Sequence, residues 1–279
     1  MSTSPSIIGK ALAAKRREAV SDPAETLATM PPPPRPAGTP LVTKQQWDTD
    51  YFGFNVAYVQ QRTLTPVEQR AIEEFVVREK IVLLQYLCNC HDRESVLTAE
   101  DSGYSFVDVR YTLLCPLPSV HASTDAGPFR FARGTAADIP RLREIAHDAY
   151  RDSRYYFDSH FDLKKVREFY QEWVEKGVRG ALDDYVDVLY DGDVPVAFCA
   201  IKEHPGRQAK IGLIGVDAAR RGAGVGTILV RNVLGELQER GFSSVGVVTQ
   251  GRNYPAQRLY QKCGFATEMM ELWYHKWYV

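Results

Sequence analysis

The chain has 279 residues, of which 44% are hydrophobic, so it can build a substantial core as one large domain or two small ones. Its formal net charge of -1 argues against a broad basic surface for nucleic acid. The five cysteines indicate a reducing environment rather than a disulfide framework. Cys88, Cys90 and His91 match no standard zinc spacing, and we expect no metal site.

Residues 1–40 are predicted to be a disordered tail, because residues 31–36 are almost all proline and cannot join a core. The tail lacks the long apolar region of a signal peptide. No window of the sequence approaches the length of a membrane span. We therefore expect a cytoplasmic protein that does not contact membranes.

A first α/β domain is predicted at residues 41–117. Thr65 and Glu68 form a capping box at the start of a predicted helix, residues 65–78. The aromatic segment 47–54 is expected to be an entry loop that packs into the core. Strands are predicted at 56–59 and 80–88, with one or two more at 103–114.

After a linker at residues 118–127, a second domain is predicted at 128–279. Thr135 and Asp162 are suited to cap its first two helices, and Asp191-Gly192 is a strong two-residue hairpin signal. The pattern predicts the order β-α-α-β-β-β-α-β-α-β-β, with strands at 129–133, 185–190, 194–202, 210–216 and 244–249, helices from about 225 and at 254–262, and a final pair of strands over 265–279.

The segment 211–226 combines a strand, a turn with glycines at 222, 224 and 226, and the start of a helix. Glycines let backbone N–H groups converge, and a helix N-terminus favours an anion, so this turn can hold a phosphate ester. A P-loop would need a lysine before Thr227, and a dinucleotide fingerprint would need a third glycine at 227 and a place at the start of its domain. Neither pattern fits.

Residues 221–226 instead match Gln/Arg-x-x-Gly-x-Gly/Ala, the pyrophosphate loop of the GNAT superfamily of acyl-CoA-dependent N-acyltransferases. Residues 253–265 resemble the second signature of that family, N-x-x-A-x-x-x-Y-x-x-x-G-F. The resemblance implies an α/β GNAT fold, in which a mixed central sheet is splayed around the acyl-CoA site. The first domain then resembles a smaller, truncated GNAT-like unit.

The resemblance also implies acetyl-CoA as the cofactor. The residues expected to bind it are Ile214, Gly215, Val216, Arg221, Gly222, Ala223, Gly224, Val225, Gly226, Thr227, Asn253 and Tyr260.

Acyl transfer to an amine forms a tetrahedral oxyanion and expels a thiolate, so the site needs an N–H donor, an acid and a neutral amine. Tyr260 is the candidate acid, since a phenol has a higher reference pKa than a thiol and keeps its proton at neutral pH. The backbone N–H near Ile214 is the expected oxyanion donor. For the general base, Glu203 and its neighbour His204 are the candidates.

A closer resemblance, to the TDP-fucosamine acetyltransferase family, extends over both predicted domains. It rests on residues 47–54, 138–143, 153–157, 169–174, 178–180, 209–213, 248–250 and 272–274. It implies transfer of an acetyl group to the amine of a dTDP-linked 4-amino-4,6-dideoxy sugar. The residues expected to bind this acceptor are Arg154, Tyr155, Phe157 and Arg179, because aromatic and arginine side chains suit a base and a diphosphate.

Two alternatives remain open from the sequence. One is a GNAT enzyme for another small amine or a peptide N-terminus, and the other is a non-catalytic regulator that binds acyl-CoA. The expected partner is a small-molecule acceptor. The sequence also leaves open a homodimer with a second copy of the chain.

Overall fold

The computed structural model describes residues 38–120 and 124–278. Most of the predicted tail and three residues of the predicted linker lie outside these ranges. The described strands form one ten-stranded sheet, in the order β1-β2-β3-β10-β4-β9-β8-β7-β6-β5. The strands are β1 Val42–Lys44, β2 Val56–Val59, β3 Leu83–Asn89, β4 Ser105–Pro116, β5 Arg130–Arg133, β6 Tyr185–Asp191, β7 Val194–His204, β8 Gln208–Val216, β9 Ser244–Gln250 and β10 Ala266–Trp277.

Helices cover parts of both faces of the sheet. They are α1 Gln46–Phe52, α2 Pro66–Glu79, α3 Arg93–Asp101, α4 Ile139–His147, α5 Arg154–Phe157, α6 Leu163–Val178, α7 Val225–Glu239 and α8 Tyr254–Lys262. The capping box of Thr65 and Glu68 is present, and Asp162 caps α6. None of the described helices is long and apolar enough to cross a membrane.

Three local expectations were wrong. The aromatic segment 47–54 is largely the helix α1, which packs Trp47 against Phe169 of α6 with ring centroids 4.6 Å apart. Helix α3 was not predicted, although Asp92 caps its N-terminus. The expected final pair of strands is the single strand β10.

Strand β10 lies between β3 and β4 and is antiparallel to both. Strands from the two predicted domains therefore share one continuous sheet. The division into domains at residues 117 and 128 stays a prediction. The position of β10 matters for the site, because it sets Trp273 opposite Asp108 of β4.

Candidate active site

The gap between β8 and β9 is the central feature of the site. These parallel strands pair only from Gln208 to Ile211 and from Ser244 to Val247. Beyond those residues they separate, and a cavity of about 760 Å³ is lined by residues 212–216 of β8 and 248–250 of β9. The splayed sheet expected from the sequence is therefore present.

A bulge in β8 accompanies this separation. Ala200 pairs with Leu213 and Ile201 with Ile211, so Gly212 has no partner on β7. The space beside Gly212 is filled by the carboxylate of Asp183, which a Cβ at position 212 would overlap. Asp183 is buried and accepts a hydrogen bond from Nε1 of Trp173 at 3.2 Å. The bulge thus requires glycine.

The loop before α7 has the geometry of an anion cradle. Gly222 and Gly224 adopt φ of +80° and +84°, which favour glycine. Within residues 38–120 and 124–278, the backbone N–H groups of residues 222–226 donate no hydrogen bond to a backbone or side-chain acceptor. Five free N–H groups at a helix N-terminus fit the diphosphate of a coenzyme A. Arg221 is anchored beside them by its Nε, which donates to the carbonyl of Val216 at 3.1 Å.

The main-chain groups of Ile214 point into the gap. The Tyr150 hydroxyl donates a hydrogen bond to the Ile214 carbonyl at 2.8 Å, and its ring stacks on Tyr170. Since the N–H and C=O of one strand residue point the same way, the Ile214 N–H also points away from β7. It is thus available to a ligand lying between the strands.

Tyr260 of α8 lines the same cavity while remaining 2% exposed. Burial, reinforced by the thiols of Cys199 and Cys263, raises the pKa of its hydroxyl. In the described part of the chain this hydroxyl has no hydrogen-bond partner. Asn253 also lines the cavity, and its side-chain oxygen caps α8 by accepting from the Ala256 N–H at 3.1 Å.

The opposite wall of the cavity carries Arg154 and Tyr155. The Arg154 guanidinium lies between two rings, 4.3 Å from the centroid of Tyr155 and 4.2 Å from that of Trp273. Trp273 comes from β10, so the predicted acceptor residues meet a part of the chain more than a hundred residues away in sequence. A stacked arginine of this kind is suited to a planar or anionic ligand.

Four sequence-predicted residues lie outside the cavity lining. Glu203 forms an ion pair with Arg240 at 2.5 Å, so the structure does not bring this expected base to the cavity. Arg179 pairs with Glu175 along α6. Phe157 is 56% exposed and packs against Arg252 instead. Ala223 belongs to the loop, but its side chain does not line the cavity.

All the other predicted cofactor residues line the cavity. They are Ile214, Gly215, Val216, Arg221, Gly222, Gly224, Val225, Gly226, Thr227, Asn253 and Tyr260.

The charged lining residues that were not among the predicted site residues include Asp108, Arg110 and Lys210. Asp108 is 2% exposed, and burial raises the pKa of its carboxyl to about 6, although Arg252 opposes the shift. The available signal was the alternation of 105–112, where Asp108 and Arg110 lie two residues apart and hence on one face of β4.

Comparison with known proteins agrees with this geometry. Residues 139–265 match the acetyltransferase (GNAT) family. This chain carries a GNAT acetyltransferase domain. Enzymes of this family generally take the acetyl group from acetyl-CoA.

Two curated relatives and one solved structure illustrate the similarity. The dTDP-fucosamine acetyltransferase of Escherichia coli O6:H1 is 27% identical over 234 residues, covering 82% of this chain and 95% of the relative. The spore coat polysaccharide biosynthesis protein SpsD of Bacillus subtilis is 25% identical, covering 65% of this chain and 61% of that protein. A GCN5-related N-acetyltransferase from Sphaerobacter thermophilus shares the fold, with a TM-score of 0.60, 16% identity and coverage of 85% and 76%.

We expect Gly212→Ala to destabilise the protein by about 1–3 kcal/mol, because the added methyl group must displace the Asp183 carboxylate. In an Asp183→Ala background the same change should cost much less, since the space is then free. Thermal unfolding of the four proteins of this cycle measures the coupling. If Gly212→Ala lowers the stability equally with and without Asp183, the carboxylate does not constrain position 212.

Proposed function

We propose that this acetyltransferase binds acetyl-CoA in the gap between β8 and β9 and acetylates the amine of a dTDP-linked 4-amino-4,6-dideoxy sugar. The acetyl group passes directly to the amine in a ternary complex, without a covalent enzyme intermediate. The single observation that carries the cofactor site is the run of five N–H groups at residues 222–226 that find no acceptor among the described residues. The acceptor is supported by the stacked Arg154 and by the similarity to dTDP-fucosamine acetyltransferase across both halves of the chain.

In this proposal the diphosphate of coenzyme A lies on the N–H groups of residues 222–226, and the pantetheine arm extends β8 as an additional strand would. The acceptor nitrogen attacks the thioester carbon, and the Ile214 N–H stabilises the oxyanion. The C–S bond then breaks, Tyr260 gives its proton to the departing thiolate, and the proton lost by the attacking nitrogen restores the phenol.

Asp108 is the general base in this proposal, in place of Glu203. It accepts a proton from the acceptor ammonium, so that a neutral amine can attack. Asp108 lines the cavity, whereas Glu203 lies outside it in an ion pair with Arg240. A carboxyl whose pKa is about 6 is ionised at neutral pH and is a stronger base than an ordinary aspartate.

The acceptor can be tested by incubating purified protein and acetyl-CoA with dTDP-amino sugars, free amino sugars and a peptide with a free N-terminus. Mass spectrometry should find the acetylated dTDP-amino sugar as the favoured product. Efficient acetylation of the free sugars or the peptide alone would overturn the nucleotide-sugar assignment. Binding of acetyl-CoA without turnover on any of these acceptors would favour a regulator.

Tyr260→Phe should reduce kcat by roughly 10²-fold or more, because the positioned acid is lost. The ring remains, so the dissociation constant of coenzyme A should stay near the wild-type value. Steady-state kinetics and calorimetry measure the two quantities. A variant with unchanged kcat would remove the acid role from Tyr260.

The wild-type pH profile of kcat should show a fall on the acidic side, here called the acidic limb, and Asp108→Asn should remove it. In the wild type, kcat should fall as pH drops through about 6, because Asp108 becomes protonated and can no longer accept a proton. Asp148→Asn, which changes an exposed carboxylate outside the cavity, serves as the control and should keep the limb. A limb that survives in Asp108→Asn contradicts the base assignment.

A further inference from the structure

A second cavity, of about 210 Å³, continues the first along one face of the sheet. The two share Arg110, Lys210, Val247 and Val248 in their linings. Its floor is made of alternate residues of paired strands, Thr112 and Leu114 of β4 with Gly246 and Val248 of β9. His204 and Gln208 also belong to the lining. This volume is below the range typical of a whole small-molecule site, so it suits one end of a longer ligand.

Arg110 and Lys210 line both cavities and therefore stand where the two meet. Burial lowers the pKa of the Lys210 ammonium, and the neighbouring charge of Arg110 lowers it further, whereas Asp183 opposes the shift. Within the described ranges, Lys210 has no hydrogen bond and no ion pair at 4.0 Å or less.

The positive charge of Arg110 also has little compensation from neighbouring groups. Burial lowers its pKa, and its Nε is a buried donor without an acceptor in the described residues. Its ion-pair partner, Glu271, is 3.8 Å away and lies closer to Arg62, at 2.6 Å. The positive charges of these two neighbouring side chains have little compensation from the protein. An anionic ligand group in the cavity would stabilise them.

We propose that Arg110 and Lys210 form the subsite for the diphosphate of the acceptor. This deepens the proposed function and rests on it for the identity of the acceptor. Arg110 offers a fork of N–H donors to phosphate oxygens, and Lys210 adds a point charge. The amine then lies in the larger cavity with Asp108 and Tyr260, and the smaller cavity takes the part of the ligand beyond the diphosphate. Arg179, the arginine expected from the sequence to contact phosphate, has no part in this subsite.

The first test is calorimetric binding of dTDP to protein saturated with coenzyme A, which fills the other diphosphate site. Lys210→Met and Arg110→Met should each raise the dissociation constant of dTDP about ten- to a hundredfold, as expected for loss of a charge-assisted hydrogen bond. Lys210→Arg should restore most of the affinity. Lys202→Met is the matched control, since Lys202 pairs with Asp184 outside both cavities.

The second test separates the diphosphate from the amine. Both methionine variants should raise KM for a dTDP-amino sugar while leaving KM for the free amino sugar unchanged. Unchanged dTDP affinity in the two variants, or no dTDP binding by the wild type, overturns the subsite. Should the wild type acetylate only phosphate-free amines, yet bind dTDP through this pair, the assignment to the acceptor is overturned and only a diphosphate site for another ligand is left. Retained affinity for coenzyme A verifies that each variant is folded.

Discussion

The separation of β8 from β9 is the constraint on which the rest of the site depends. A regular parallel pair would satisfy its own backbone groups and leave no room for a ligand. Here the unpaired Gly212 shifts the register of β8, and the buried Asp183 fills the space that a side chain would need. The groups of Ile214 are thereby turned to the gap, where Tyr150 already bonds the carbonyl. The cavity is thus built into the sheet itself.

The N-terminal half of the chain supplies part of the cavity wall that is proposed to bind the acceptor. Because β10 returns between β3 and β4, residues Asp108 and Arg110 lie beside Trp273 on one sheet. The aromatic contact of Trp47 with Phe169 fixes α1 against α6, which further ties the two halves together. An acceptor bound by residues of both halves would need that continuous sheet. This is a physical reason for the similarity to the Escherichia coli relative to extend over most of the chain rather than over the GNAT domain alone.

How much could be predicted from the sequence depends on how far apart along the chain the interacting residues lie. The phosphate loop could be found because its chemistry is local: Gly222 and Gly224 need positive φ, and the helix follows at once. The alternation of β4 could place Asp108 and Arg110 on one face but not at the cavity, since only the pairing of β4 with β9 and β10 brings them there. The prediction that Glu203 serves as the general base at the cavity failed for a related reason. Its position at a strand end was inferred well, but its ion pair with Arg240 joins residues 37 positions apart.

Burial acts on the two proposed proton-transfer groups in the same direction and suits each to a different task. It raises the pKa of Tyr260, so the phenol keeps its proton at neutral pH and is available as a donor to the departing thiolate. It also raises the pKa of Asp108, but Arg252 and backbone N–H groups limit the shift, so the carboxyl still ionises below neutral pH. One cavity can therefore hold a protonated acid and an ionised base together. The difference arises from the neighbours, since thiols surround the phenol whereas cations and N–H donors surround the carboxylate.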